Sequence, residues 1–76
     1  MVSNIQIDPN ICHGNPVIKG TRVLVSQIVG AMAGGDTVED ILEDYPGLTK
    51  ADVYAALAFA GDLARFETSV YDVAPA

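Results

Sequence analysis

The stretch GGDTVEDILEDYPGLTKADV, residues 34–53, determines the fold because it contains two helix-ending signals and the beginnings of two helices. Gly34–Gly35 and Pro46–Gly47 are residues of the kind that end helices. The first signal is followed by a capping residue and by acids in the first turn of the next helix. The second is followed by Thr49, a natural N-cap, with Asp52 completing an imperfect capping box. The stretch therefore predicts three helices joined by two short turns.

The apolar residues around these turns recur with helical spacing. In the first two helices they fall at i, i+3, i+4 and i+7, which is the pattern of one buried face. These positions are Val25, Ile28, Val29 and Met32 in the first helix, and Val38, Ile41, Leu42 and Tyr45 in the second. The acids of the second helix fall on the opposite side, which predicts a solvated face. They are Glu39, Asp40, Glu43 and Asp44.

The third helix, residues 50–66, has two apolar stripes where one is enough to face a core. The first stripe consists of Val53, Ala56, Leu57, Ala60 and Ala64. The second, offset stripe consists of Phe59, Leu63 and Phe66. Two explanations of the second stripe remain open: the N-terminal hairpin covers it, or it forms an interface with a subunit or partner. Tyr71, in the apolar tail, is a further candidate for that interface.

The N-terminal third of the chain alternates apolar and other residues, with Gly and Pro between the apolar groups, which is typical of short strands. The pattern predicts strands at 5–8, 16–18 and 21–25, with Lys19–Gly20 as a hairpin-like turn. An isolated hairpin is marginally stable in water, so this one must lie on the helices or pair with another chain.

These patterns predict a mainly α protein, in which a short N-terminal β-hairpin is followed by a three-helix, helix-turn-helix (homeodomain-like) bundle. By that analogy, the helix that begins after Thr49 is the recognition helix. Residues 1–76 are expected to form a single domain. It consists of a β-hairpin region at 1–25, a three-helix core at 26–66 and a C-terminal tail at 67–76.

The chain is short and apolar, with 76 residues of which 50% are hydrophobic. A domain this small buries only about 60% of its unfolded surface. We therefore expect a homodimer, a partner chain or both. No apolar stretch approaches the roughly 20 residues of a membrane span. With the lone Cys12 and no secretory signal at residues 1–4, this predicts a cytoplasmic protein without a membrane segment.

Four basic and ten acidic residues give a formal net charge of −6, which disfavours nucleic acid as a partner. The third helix also offers two aspartates and no Asn or Gln for reading bases. The weak candidates for contacts with operator DNA are Lys19, Arg22, Thr49 and Lys50. For Arg22, the alternative is a salt bridge to Asp8 or Asp44, and the abundance of acids favours that alternative.

No arrangement of residues predicts catalysis. Cys12 and His13 are adjacent, and side chains of adjacent residues in an extended segment point in opposite directions, away from the geometry of a nucleophile and its base. One Cys–His pair also falls short of the four ligands of a structural zinc site. We therefore expect no catalytic residue, no metal site, no cofactor and no enzyme activity.

Three spaced motifs follow one another within residues 8–60. They are Gly14-x-Pro16-x-Ile18-x-Gly20-Thr21-Arg22, then Gly35-x-Thr37-x-Glu39-Asp40-Ile41-Leu42, then Asp44-Tyr45-Pro46-x-Leu48-Thr49-x-x-Asp52-Val53-x-x-Ala56-Leu57. In order and spacing, they closely resemble the domain-of-unknown-function 433 family (DUF433). The resemblance implies a homeodomain-like helix-turn-helix fold.

Members of that family often resemble VapB-type antitoxins, which are encoded beside a toxin with a PIN-like ribonuclease domain. The resemblance therefore implies the small antitoxin of a type II toxin–antitoxin pair, which binds and neutralises the toxin and represses its own operon. The alternative is a stand-alone dimeric DNA-binding transcription regulator.

Overall fold

The computed structural model describes residues 4–66, with side chains described through Ala64. A short pair of strands precedes three helices in this range. The elements are β1 (Ile5–Gln6), β2 (Val17–Ile18), α1 (Val25–Ala33), α2 (Val38–Asp44) and α3 (Lys50–Phe66). The prediction of a mainly α fold, with a hairpin followed by three helices, is confirmed. The predicted tail at 67–76 lies outside the described residues.

The diglycine signal ends α1 in a Schellman motif. The backbone N–H of Gly35 donates to the carbonyl of Met32 at 3.1 Å, and that of Asp36 donates to the carbonyl of Ala31 at 3.0 Å. Gly35 has a φ of +107°, a conformation that side-chain-bearing residues rarely adopt. Glycine is therefore required at this position for the chain to leave α1 and enter α2.

Helices α2 and α3 begin with the same reciprocal cap. At α2, the N–H of Asp40 donates to Thr37 Oγ1 at 3.2 Å and the N–H of Thr37 donates to Asp40 Oδ2 at 2.9 Å. At α3, the N–H of Asp52 donates to Thr49 Oγ1 at 3.2 Å and the N–H of Thr49 donates to Asp52 Oδ2 at 3.0 Å. The capping box that the sequence suggested only imperfectly is therefore complete, because aspartate is long enough to close it.

The core lies where the predicted helical faces meet β2. Its buried side chains come from all three helices, from β2 and from the turn before α3. They are Val17, Ile18, Val25, Ile28, Ile41, Leu48, Val53 and Ala56. The acids of α2 are exposed, as the helical spacing predicts.

The sheet is smaller than the sequence predicts. β1 pairs with β2 in antiparallel register, with Ile5 opposite Ile18 and Gln6 opposite Val17. The prediction of a strand at 21–25 is wrong, because only Leu24 forms a bridge to Val17 there. Helix α1 begins immediately afterwards.

The early start of α1 has a local cause. The side chain of Gln27 accepts a hydrogen bond from the backbone N–H of Leu24 at 2.9 Å, which is half of a capping box. The predicted Lys19–Gly20 turn is confirmed, since the N–H of Thr21 donates to the carbonyl of Ile18 at 2.9 Å. The two strands of the hairpin are β1 and β2, which flank a longer loop.

Candidate protein-binding site

An open, mainly apolar groove of about 300 Å³ lies between α1 and α3. Both helices contribute to its walls, and the end of the hairpin loop closes one edge. The lining residues are Val25, Ser26 and Val29 of α1, Phe59, Ala60 and Leu63 of α3, and Asn15 and Pro16 of the loop. This concavity is the candidate site, and we call it the α1–α3 groove.

Helical spacing brings the apolar walls of the groove together. Val25 and Val29 lie one turn apart on α1, and Phe59 and Leu63 lie one turn apart on α3, so each pair occupies one helix face. Val29 and Phe59 pack against the edge of the core, whereas Leu63 is 47% exposed. The carbonyl of Pro16 accepts a hydrogen bond from the N–H of Val25 at 3.0 Å, which fixes the loop to the start of α1.

Two of the predicted interface residues, Phe59 and Leu63, line this groove. Of the other two, Phe66 lies at the end of α3, where side chains are not described, and Tyr71 lies outside the described residues. The hairpin loop covers one edge of the second stripe and leaves the rest open. The two explanations of that stripe are therefore both partly applicable.

Sequence reasoning missed the contribution of α1 to the groove. It assigned Val25 and Val29 to the core stripe alone. A signal was present, since α1 has the sequence VSQIVGAMA and contains no charged residue. A surface helix normally has charged residues opposite its core face, so an uncharged α1 indicates a second apolar contact.

The groove is chemically suited to apolar side chains. Its polar side chains are those of Asn15 and Ser26, and the Asn15 amide already donates to the carbonyl of Cys12 at 2.9 Å. Sites for small polar ligands present several convergent polar groups, which this lining lacks. The groove therefore favours a protein partner that inserts Leu, Val or Phe side chains.

The candidate DNA-contact residues Lys19, Thr49 and Lys50 are exposed, and Asn4 connects the elements on which they lie. The backbone N–H of Lys19 donates to the Asn4 carbonyl at 2.7 Å. The Asn4 side chain donates to Asp52 Oδ1, at the start of α3, at 2.8 Å. The hairpin turn and the N-terminus of α3 are therefore joined through one residue, which sequence reasoning did not single out.

The carboxylate of Asp52 dominates the electrostatics at this helix end. Hydrogen bonds from the Thr49 backbone N–H, the Asn4 side chain and the Thr49 hydroxyl lower its pKa below the ordinary value of 3.8, against a smaller opposing effect of burial. The positive end of the α3 dipole thus has an ionised carboxylate of its own. This arrangement disfavours a phosphate at the same position.

Arg22 is exposed on a second, shallower depression of about 410 Å³ that also includes Gln6 and Ile11. Within the described side chains, the structure records no ion pair between Arg22 and a carboxylate, so the expected salt bridge to Asp8 or Asp44 is not found there. Asp8 instead accepts the backbone N–H of Asn10 at 2.8 Å. This bond stabilises the turn at the start of the loop.

Cys12 and His13 lie in a left-handed turn, so the expectation of an extended segment is wrong. Their φ angles are +49° and +58°, and Gly14 follows with +81°. The N–H of Asn15 donates to the Cys12 carbonyl at 3.1 Å, which stabilises this turn. His13 is exposed and Cys12 is half-buried. Within the described part of the chain, no three metal-ligating side chains lie together.

The three motifs and the architecture agree with a known family. A family model described as "Protein of unknown function (DUF433)" matches residues 5–60. The chain belongs to the DUF433 family. A crystal structure of a DUF433 member protein from Anabaena variabilis superposes on this chain with a TM-score of 0.77 and 33% sequence identity. The alignment covers 83% of this chain and 62% of that one.

The uncharacterized protein y4eO of Sinorhizobium fredii is 38% identical to this DUF433 chain over 52 residues. The match covers 68% of this chain and 24% of the relative, so the chain spans about a quarter of that protein's length. Among residues 4–66, none of the helices has the length and apolar character that a membrane crossing requires.

Proposed function

We propose that this DUF433 chain is a small, non-catalytic protein-binding module that acts as the dimeric antitoxin of a type II toxin–antitoxin pair in the cytoplasm. The observation that supports a protein partner is the open apolar α1–α3 groove, with Leu63 47% exposed at its edge. Contiguous exposed apolar surface of this kind marks interaction sites. No cofactor enters the proposal.

The composition of α3 supports protein binding over base reading. Its sequence, KADVYAALAFAGDLARF, contains no Asn or Gln, and its largest exposed apolar side chains are Tyr54 and Leu63. A recognition helix needs Arg, Lys, Asn or Gln side chains directed at base edges. The exposed surface of α3 is instead suited to packing against another protein.

The acidic charge supports a particular class of partner. The chain has a net charge of −6, and the exposed side of α2 consists of carboxylates. A ribonuclease must present a basic surface to bind the RNA backbone. We propose that the partner is a PIN-like ribonuclease toxin, which this chain masks through the residues around Phe59 and Leu63 and through charge complementarity.

Co-expression with the toxin encoded by the adjacent reading frame tests this function. We expect the wild-type chain to relieve growth arrest and Leu63→Asp to relieve it less, because a carboxylate in the apolar contact is costly to bury. Tyr54→Asp is the matched control, since Tyr54 lies on the same helix, outside the groove lining, at 56% exposure. Growth arrest that persists with the wild-type chain contradicts the proposal.

A second candidate function, a dimeric DNA-binding regulator, is favoured by the connection through Asn4. That connection places the exposed Lys19 turn beside the α3 N-terminus, where Lys50 is also exposed. A regulator of this kind binds its own upstream DNA at about 50 mM salt and loses affinity steeply as salt rises. Lys19→Ala and Lys50→Ala then each weaken binding to all sequences alike. Absence of binding at low salt contradicts this function.

A further inference from the structure

The α1–α3 groove is a charge-free surface on a strongly acidic chain. None of its eight lining residues is ionisable, and α1 contains no charged residue along its whole length. The chain has a net charge of −6, and the acids of α2 are all exposed. Approach through the acidic surface is therefore repulsive for a second copy of the chain, and approach through the groove is not.

We propose that a second copy of this chain packs against the α1–α3 groove in an isologous, two-fold contact. This inference deepens the proposed function by naming the surface through which the antitoxin dimerises. In a two-fold contact, the same patch meets itself and therefore has to be self-complementary. Electrostatics favours the groove for this purpose because like charges do not oppose one another there.

The shape of the groove supports the same partner. Leu63 projects at its edge with 47% of its surface exposed, beside an open concavity of about 300 Å³. Under two-fold symmetry, Leu63 of each copy enters the groove of the other, where Val29 and Phe59 supply apolar contacts. The insertion buries a projecting side chain and fills a concave apolar surface at the same time.

The small core supplies a reason for the association. The described residues include eight buried hydrophobic side chains, although half of the whole chain is hydrophobic. Small domains commonly gain the burial that they lack by oligomerisation. Since Leu63 is assigned to both contacts, a dimer of this kind has to open before a toxin occupies the groove.

Sedimentation equilibrium of the isolated full chain at micromolar concentration tests the proposal. We expect a reversible dimer for the wild-type chain, and Leu63→Asp to raise the dissociation constant by about tenfold or more. Tyr54→Asp is the matched control because it introduces the same charge on the same helix, outside the groove lining. Its dissociation constant should stay within about twofold of the wild-type value.

Ser26→Glu provides a second test that does not depend on folding of the Leu63 variant. Ser26 is exposed on the groove wall in the first turn of α1, where a glutamate suits the helix dipole. We expect this variant to weaken the dimer as well. A wild-type chain that is monomeric throughout, or a folded Ser26→Glu chain that dimerises like wild type, overturns the proposal. Both results are independent of the toxin-relief experiment.

Discussion

Asp52 connects the cap of α3 to the N-terminal strand region through its two carboxylate oxygens. One accepts the backbone N–H of Thr49 and the other accepts the side chain of Asn4. We expect Asp52→Ala to lower the free energy of unfolding by about 2 kcal/mol, since hydrogen bonds to a charged group are lost. Asp40→Ala, which removes the matching cap of α2, should cost about 1 kcal/mol. Equal losses in urea unfolding would contradict a contribution from Asn4.

The lowered pKa of Asp52 makes part of the stability depend on pH. Because the folded pKa lies below the ordinary value of 3.8, the ionised carboxylate stabilises the fold above that value. This stabilisation is lost as the pH falls below it, through the lowered pKa. In Asp52→Asn, the loss of unfolding free energy between about pH 7 and about pH 3 should be smaller than in wild type. Parallel pH profiles would contradict the assignment.

The end of α1 depends on backbone conformation, and two glycines allow a paired test. Gly35 has a φ of +107°, so Gly35→Ala should lower the free energy of unfolding by about 1 kcal/mol or more. Gly30 lies inside α1, where an added Cβ meets nothing within 4 Å. Gly30→Ala should therefore raise the stability by about 1 kcal/mol through helix propensity. Thermal or urea unfolding of both variants measures the two opposite signs.

The helices could be predicted from the sequence because their signals are local. Apolar spacing fixed the faces, and glycine, proline and threonine fixed the ends within residues that are close along the chain. The hydrogen bond between Asn4 and Asp52 joins residues 48 positions apart, and no short pattern encodes it. The left-handed turn at Cys12 and His13 was missed because non-glycine residues rarely adopt positive φ.

The candidate site shows the same division at the level of the three-helix unit. Phe59 and Leu63 were predicted as interface residues because their stripe exceeded what one core requires. The opposite wall of the groove was not predicted, because its formation depends on how α1 packs against α3. Helical periodicity assigns Val25 and Val29 to one face, but that face is wide enough to contact both the core and the groove. Packing between distant elements therefore completes a site that periodicity only begins.

The acidic charge of the whole chain is concentrated on α2, and this should limit stability at low salt. From residue 23 to residue 49 the sequence has five acids and no basic residue. On the exposed side of α2, Glu39 and Glu43 lie at i and i+4, as do Asp40 and Asp44. Like charges at this spacing repel, and acids near the end of a helix oppose its dipole.

Glu43→Lys replaces one repulsive pair on α2 with an attractive one in the favourable order, Glu39 before lysine. It also places a cation near the C-terminal end of the helix. We expect the free energy of unfolding to rise by about 0.5–1 kcal/mol at low salt. The gain should shrink at about 1 M salt, where the Debye length is about 3 Å. Glu43→Gln, which removes the repulsion alone, should give about half the effect. Urea unfolding at both salt concentrations measures this. If neither variant gained stability at low salt, charge repulsion on α2 would not limit the fold.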